Sequence, residues 1–146
     1  MEQTNQYVKQ FPELFSGKKV LYVHGFASSG QSGTVSRIRQ VLPNATVIAP
    51  DVPIHPEEAI GLLTTLCQEE QPDLIVGLSL GGFWAQKLRG YRKVCLNPDL
   101  HPAARLRTLL GENTYLSPRR DGVTTFCITP AVCDAYAAMG QIQFDG

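Results

Sequence analysis

The nine residues Leu74-Ile75-Val76-Gly77-Leu78-Ser79-Leu80-Gly81-Gly82 constrain this chain more than any other stretch. An apolar run leading into Gly-x-Ser-x-Gly predicts a buried strand, a sharp turn and a helix, with the serine hydroxyl presented at the turn. Such an elbow holds serine in a strained backbone state. Gly77 and Gly81 are required there because a side chain two residues either way collides with the neighbouring strand or helix. The same turn opens a helix, so the Leu80 amide faces the place where an oxyanion would form. The loop after the first strand can supply a second amide, assigned to Phe26.

Around this centre, apolar runs alternate with helical patterns at short intervals, which predicts parallel strands joined by crossover helices. Strands are expected at Lys19 to Val23, Ala45 to Ala49, Asp73 to Gly77 and Val94 to Leu96. Helices are expected from about Gly33 to Leu42, from Pro56 to Glu70, and from Leu80 to Arg89 with Leu80, Phe83, Trp84 and Leu88 packed inward. Beyond Pro102 the signals weaken. Ala103 to Leu110 is helix-like, Gly111 to Gly122 reads as polar and irregular, Thr124 to Ile128 as a short strand, and Thr129-Pro130 opens a last helix running to about Met139. The expected architecture is an α/β three-layer parallel sheet. It forms a single domain over 1–146, with a polar extension at 1–18 and an irregular insertion or lid at 103–128.

The chain's 146 residues suit one core, and its 13 basic and 13 acidic side chains cancel to a net charge of zero. That balance offers no footprint for nucleic acid or an anionic membrane. The start of the chain lacks the pattern of a secretory signal and no run approaches membrane-spanning length, so a cytoplasmic location is expected. Cys67, Cys95, Cys127 and Cys133 form no Cys-x-x-Cys pair and lie in or beside apolar segments. Buried free thiols are expected, Cys95 foremost, with no disulfide and no metal site. The first strand ends in His24-Gly25-Phe26 rather than a Gly-x-Gly-x-x-Gly turn, which argues against a nucleotide-binding domain, and no cofactor is expected.

The combination Leu21-Tyr22-Val23-His24-Gly25-Phe26-Ala27-Ser28-Ser29, Pro50-Asp51-Val52-Pro53, Gly77-Leu78-Ser79-Leu80-Gly81-Gly82-Phe83 and Leu96-Asn97-Pro98 resembles small bacterial α/β-hydrolase-fold esterases of the YqiA/YcfP type. The resemblance covers roughly residues 19 to 140. It implies an α/β-hydrolase-like three-layer parallel sheet with strand order 2-1-3-4, lacking the last strands, and a serine esterase with Ser79 as nucleophile and the Phe26 and Leu80 amides as oxyanion hole. Enzymes of this type carry their acid and histidine on loops after two further strands. The chain, ending at Phe144-Asp145-Gly146, therefore reads as truncated before that part of the triad.

Ser79, Asp99 and His101 satisfy the order serine, acid, histidine, but a single residue between the last two makes it hard for both to reach Ser79. A turn with a solvated His101 is the preferred reading. His24, at a strand end, is the other candidate base, but is read first as hydrogen-bonding nearby backbone and shaping the oxyanion loop. His55 is expected to be exposed, Asp51 to form a turn before it serves as a pocket acid, and Arg119, Arg120 and Asp121 to lie on a solvated loop. The leading functional expectation is a serine hydrolase acting on small acyl esters or thioesters. The alternative is a catalytically incomplete remnant of the fold that binds small molecules or proteins. In that case the bare edge at 94–96 would be covered by the C-terminal segment or another chain, including a second copy.

Overall fold

The computed structural model describes residues 6–140. The first five residues of the expected polar extension and the terminal Phe144 to Gly146 lie outside them. Four strands, β1 (Lys19–Val23), β2 (Thr46–Ile48), β3 (Leu74–Leu78) and β4 (Lys93–Leu96), form a parallel sheet in the order β2-β1-β3-β4. The order matches the one expected for an α/β-hydrolase-like sheet. Central β1 is flanked on both sides, Leu21 lying opposite Ile48 on one neighbour and Ile75 on the other.

Period-two alternation divides the side chains between two faces of the sheet. Leu21, Val23 and Ile75 join a large core with Ala59, Leu63 and Cys67 of α3 (Pro56–Glu70), Phe83 and Trp84 of α4 (Leu80–Lys87), and Cys133 and Tyr136 of α6 (Pro130–Ala138). Tyr22 turns the other way and packs with Ala49 and with Val35 of α2 (Gly33–Val41). The result is three layers. The aromatic trio Phe83, Trp84 and Tyr136 locks α4 to α6, with ring centroids 5.0 Å apart for the first pair and 5.6 Å for Trp84 and Tyr136.

The helix starts follow their sequence signals. Pro56 occupies the first turn of α3 beside Glu57 and Glu58, whose carboxylates meet the positive end of the helix. Thr129 caps α6, its hydroxyl accepting the Val132 amide at 3.2 Å.

Three expectations are corrected. The supposedly irregular stretch after residue 110 contains a strand, β5 (Gly111–Thr114), paired antiparallel with β6 (Thr125–Ile128). The helix expected at 103–110 divides into α5 (Pro102–Leu106) and a 3₁₀ turn at Arg107–Leu109. Cys95 is only half-buried and Cys127 is exposed, while Cys67 and Cys133 are buried; all four are free thiols. Cys95 stays part-exposed because β4 is the edge of the sheet among the described residues. The polar extension also holds a short helix, α1 (Gln6–Gln10). No helix among the described residues is long and apolar enough to cross a membrane.

Candidate active site

Ser79 stands between β3 and α4 with φ 56° and ψ −114°, a conformation a non-glycine residue adopts only when its surroundings enforce it. The enforcement is visible on both sides. A Cβ at Gly77 would overlap the Gly81 carbonyl, and one at Gly81 would overlap the carbonyl oxygen of Val23 in β1. Neither position accepts a side chain, so strand, turn and helix close onto each other around the serine. Its backbone is also bolted down. The Ser79 amide donates to the Leu96 carbonyl at 2.9 Å, and the Ser79 carbonyl accepts the amides of Gly82 and Asp99, each at 2.9 Å.

The loop after β1 approaches from the other side. Gly25 lies against the elbow, and a Cβ there would stand 3.5 Å from that of Ser79. Phe26, Leu80 and Trp84 line one small pocket together with His24, Ile54 and Tyr115. It has room for about 10 Å³, the space of one water molecule. No acceptor is found for the Phe26 or Leu80 amide among the described residues.

His24 is buried and both ring nitrogens are engaged. Nε2 accepts the Val52 amide at 2.8 Å, which fixes the proton on Nδ1, and Nδ1–H donates to the Gly25 carbonyl at 2.8 Å. Burial pulls its pKa below the ordinary value, and the Arg119 charge adds to that pull; the Gly25 bond and Asp51 act the other way without reversing it. The ring is therefore a neutral brace between the β1 loop and the segment after β2.

The structure brings Asp99 to Ser79 but not the His101 ring. Arg105, on α5, donates through Nη1 to Ser79 Oγ at 3.2 Å and to Asp99 Oδ2 at 3.3 Å. The other Asp99 oxygen accepts the backbone amide of His101 at 3.2 Å. The His101 side chain is exposed and lines a separate pocket of about 230 Å³ with Leu100, Pro102 and Tyr136. His55 is exposed ahead of α3. Arg105 escaped the sequence reading because no motif surrounds it; only the return of the chain after β4 places it over the serine.

The expected solvated loop at Arg119 to Asp121 is instead a docked strap. The Ala27 carbonyl accepts the Leu116 amide at 2.6 Å, and Ser29 Oγ donates to the Pro118 carbonyl. Arg120 Nη1 donates to the Ala49 carbonyl at 2.9 Å. Asp51 joins the two loops, one oxygen accepting the Gly30 amide at 2.8 Å and the other the Arg120 amide at 2.9 Å. Burial would raise the Asp51 pKa, but those two amides and the Arg119 and Arg120 charges outweigh it and hold the carboxyl below its usual value. A ring stack ties strap to site: the Arg105 guanidinium lies 5.5 Å from the Phe26 centroid, Phe26 meets Phe126 edge-on at 5.3 Å, and Phe126 meets Tyr115 at 4.5 Å.

A parallel sheet in 2-1-3-4 order with a serine on its central strand-to-helix elbow defines an α/β-hydrolase-like domain. The chain belongs to the family described as Uncharacterised protein family (UPF0227), which it matches over residues 19–131. It is similar to a UPF0227 protein of Shewanella loihica, 33% identical over an alignment of 94 residues, with 57% of this chain and 52% of the relative covered. Comparable similarity is found to UPF0227 proteins of Shewanella sp. strain MR-4, at 28% over 95 residues, and of Yersinia pseudotuberculosis, at 31% over 94, again covering 57% of this chain and 52% of each relative. The chain spans about half the length of the curated relatives it matches.

Proposed function

We propose that this protein is a serine hydrolase of the esterase or thioesterase kind, acting on small acyl substrates through Ser79. The observation that carries the reading is the Ser79 backbone conformation, maintained by two glycines that admit no side chain. Strain of this kind persists only where surrounding structure maintains it, and it clusters at functional sites. The resemblance to YqiA/YcfP-type esterases adds to it. In the proposed reaction Ser79 Oγ bonds to the carbonyl carbon and the alcohol or thiol leaves with a proton. Water then cleaves the acyl-serine to release the acid and regenerate the hydroxyl. The Phe26 and Leu80 amides receive the oxyanion.

The Arg105 contact favours the ionised serine but cannot take its proton, because guanidinium stays charged. Among the described residues no imidazole hydrogen-bonds to Ser79. Oxyanion stabilisation and binding alone give roughly 10³ to 10⁴ over water. A second reading follows from the same observation: a pocket that acylates without completing the cycle. The test is to incubate the protein with a fluorophosphonate probe and, separately, with a short-chain aryl ester, alongside Ser79→Ala. Labelling and sustained turnover, both lost in the variant, are expected. Labelling or a single acylation without turnover supports the second reading, and an unreactive Ser79 in both assays rejects the two together.

A further inference from the structure

We propose that Arg105 is a carboxylate-recognition residue, so that the preferred substrates are short esters bearing a carboxylate a few bonds from the scissile carbonyl. The inference rests on the Ser79 reading and names the substrate class for that site. A guanidinium offers five N–H donors in a planar fork. Arg105 Nη1 is engaged by Ser79 Oγ and Asp99 Oδ2. For Nε and Nη2 no acceptor is found among the described residues, and the side chain is 46% exposed. That leaves the Nε–Nη2 edge, the pair of parallel donors that matches a carboxylate in two-point contact.

Two features make this edge a receptor instead of an ordinary solvated surface arginine. The guanidinium is held in place, pinned at Nη1 and laid over the Phe26 ring, so little side-chain freedom remains to be lost on binding. It is also adjacent to the nucleophile: guanidinium geometry keeps every one of its nitrogens within about 6 Å of Ser79 Oγ. A group bound there is presented beside the reacting carbonyl. The charge balance selects a monoanion. Asp99, only 14% exposed and 3.3 Å away, already offsets part of the positive charge and repels a phosphate dianion more strongly than a single carboxylate. A half-ester of a short dicarboxylic acid meets the requirements of charge, geometry and length.

The experiment compares monoethyl succinate with ethyl butyrate by acid release, using wild type, Arg105→Gln and Arg105→Lys. Equilibrium binding of both esters to Ser79→Ala and to Ser79→Ala/Arg105→Gln is measured calorimetrically. Wild type is expected to favour the charged ester about ten- to hundredfold in kcat/KM, chiefly through KM, with the ratio falling to about one in Arg105→Gln. Lysine, which keeps the charge without the fork, should fall between. The preference should also weaken in high salt. A ratio unchanged by Arg105→Gln overturns the assignment. If wild type hydrolyses neither ester, the hydrolase reading fails and the binding arm decides Arg105 alone. Tighter binding of monoethyl succinate to Ser79→Ala, lost in the double variant, sustains it, and equal binding of the two esters rejects it. Because the residue is half exposed, the variants should keep the parent circular dichroism spectrum.

Discussion

At the scale of single residues, His24 shows how a histidine beside a serine elbow can be removed from acid–base chemistry by its own hydrogen bonds. One nitrogen donates to Gly25 and the other accepts from Val52, so protonating Nε2 would break the second bond and leave two N–H groups facing each other. The folded protein therefore holds the ring neutral, with its pKa below the ordinary 6.5. The sign of the consequence follows. The unfolded chain takes up the proton first as pH falls, so this contribution to stability is complete above about pH 6.5. It is lost progressively as pH descends toward and through the lower folded value. Urea unfolding across that range should show wild type losing stability on acidification. His24→Gln, which cannot titrate, should be less stable by about 2 kcal/mol near neutrality, with the gap narrowing in acid. A gap that is constant with pH would contradict the neutral-brace assignment.

At the scale of elements, the strap from Tyr115 to Gly122 sets access to the pocket, because Tyr115 lines it and the strap is tied to the β1 loop through Asp51. Replacing Asp51 by Ala leaves the Gly30 and Arg120 amides without their shared acceptor. The expected outcome is faster proteolytic cleavage around residues 116–123 and a shift of ester preference toward longer acyl chains. Wild type should reproduce the cleavage change in acid, since Asp51 has a depressed pKa and its tie is present above about pH 4 and lost as pH falls through the folded value. Unchanged cleavage in the variant would mean that the Ser29 and Arg120 contacts hold the strap unaided. Such ties also mark the limit of what the chain reveals in advance. The strands, the α3 start and the Ser79 elbow were readable because each depends on local pattern: apolar runs between turn signals, a first-turn proline, glycines at fixed offsets. The sheet order is long-range and came with the resemblance to the hydrolase fold. Strand β5 was not readable, because Gly111-Glu112-Asn113-Thr114 is polar throughout and Gly111, Glu112 and Thr114 are exposed, so no alternation betrays it. Asp51 and Arg105 were missed as connectors for the same reason. Their partners lie 69 and 26 residues away, and nothing local encodes such contacts.

For the whole molecule, the sheet is covered unequally. On the α2 face, Tyr22 and Ala49 are enclosed, but the cover thins toward β4, where Val94 is 45% and Leu96 44% exposed. Val76 and Leu78 of β3 are only partly buried and pack against the cluster that holds Tyr22. Two large apolar side chains on the outermost strand, beside backbone groups that no strand among the described residues pairs, make a surface that water disfavours and another strand can satisfy. We propose that a second copy pairs along this edge. Two identical β4 edges meeting about a two-fold axis run antiparallel and are self-complementary, which gives a closed dimer instead of an open array. Sedimentation at micromolar concentration should therefore show a dimer. Val94→Lys/Leu96→Lys should convert it to a monomer with the circular dichroism spectrum retained, because neither side chain is enclosed in the core and a charged edge resists pairing. The elbow lies at the end of β3, the strand next to β4, and the Ser79 amide bonds the Leu96 carbonyl, so edge pairing would also steady the Asn97 to His101 loop that carries Asp99. Dimerisation and probe labelling of Ser79 should accordingly weaken together in the lysine variant. A wild-type monomer at tens of micromolar would remove the proposal, and a dimer indifferent to the double lysine substitution would move the interface elsewhere.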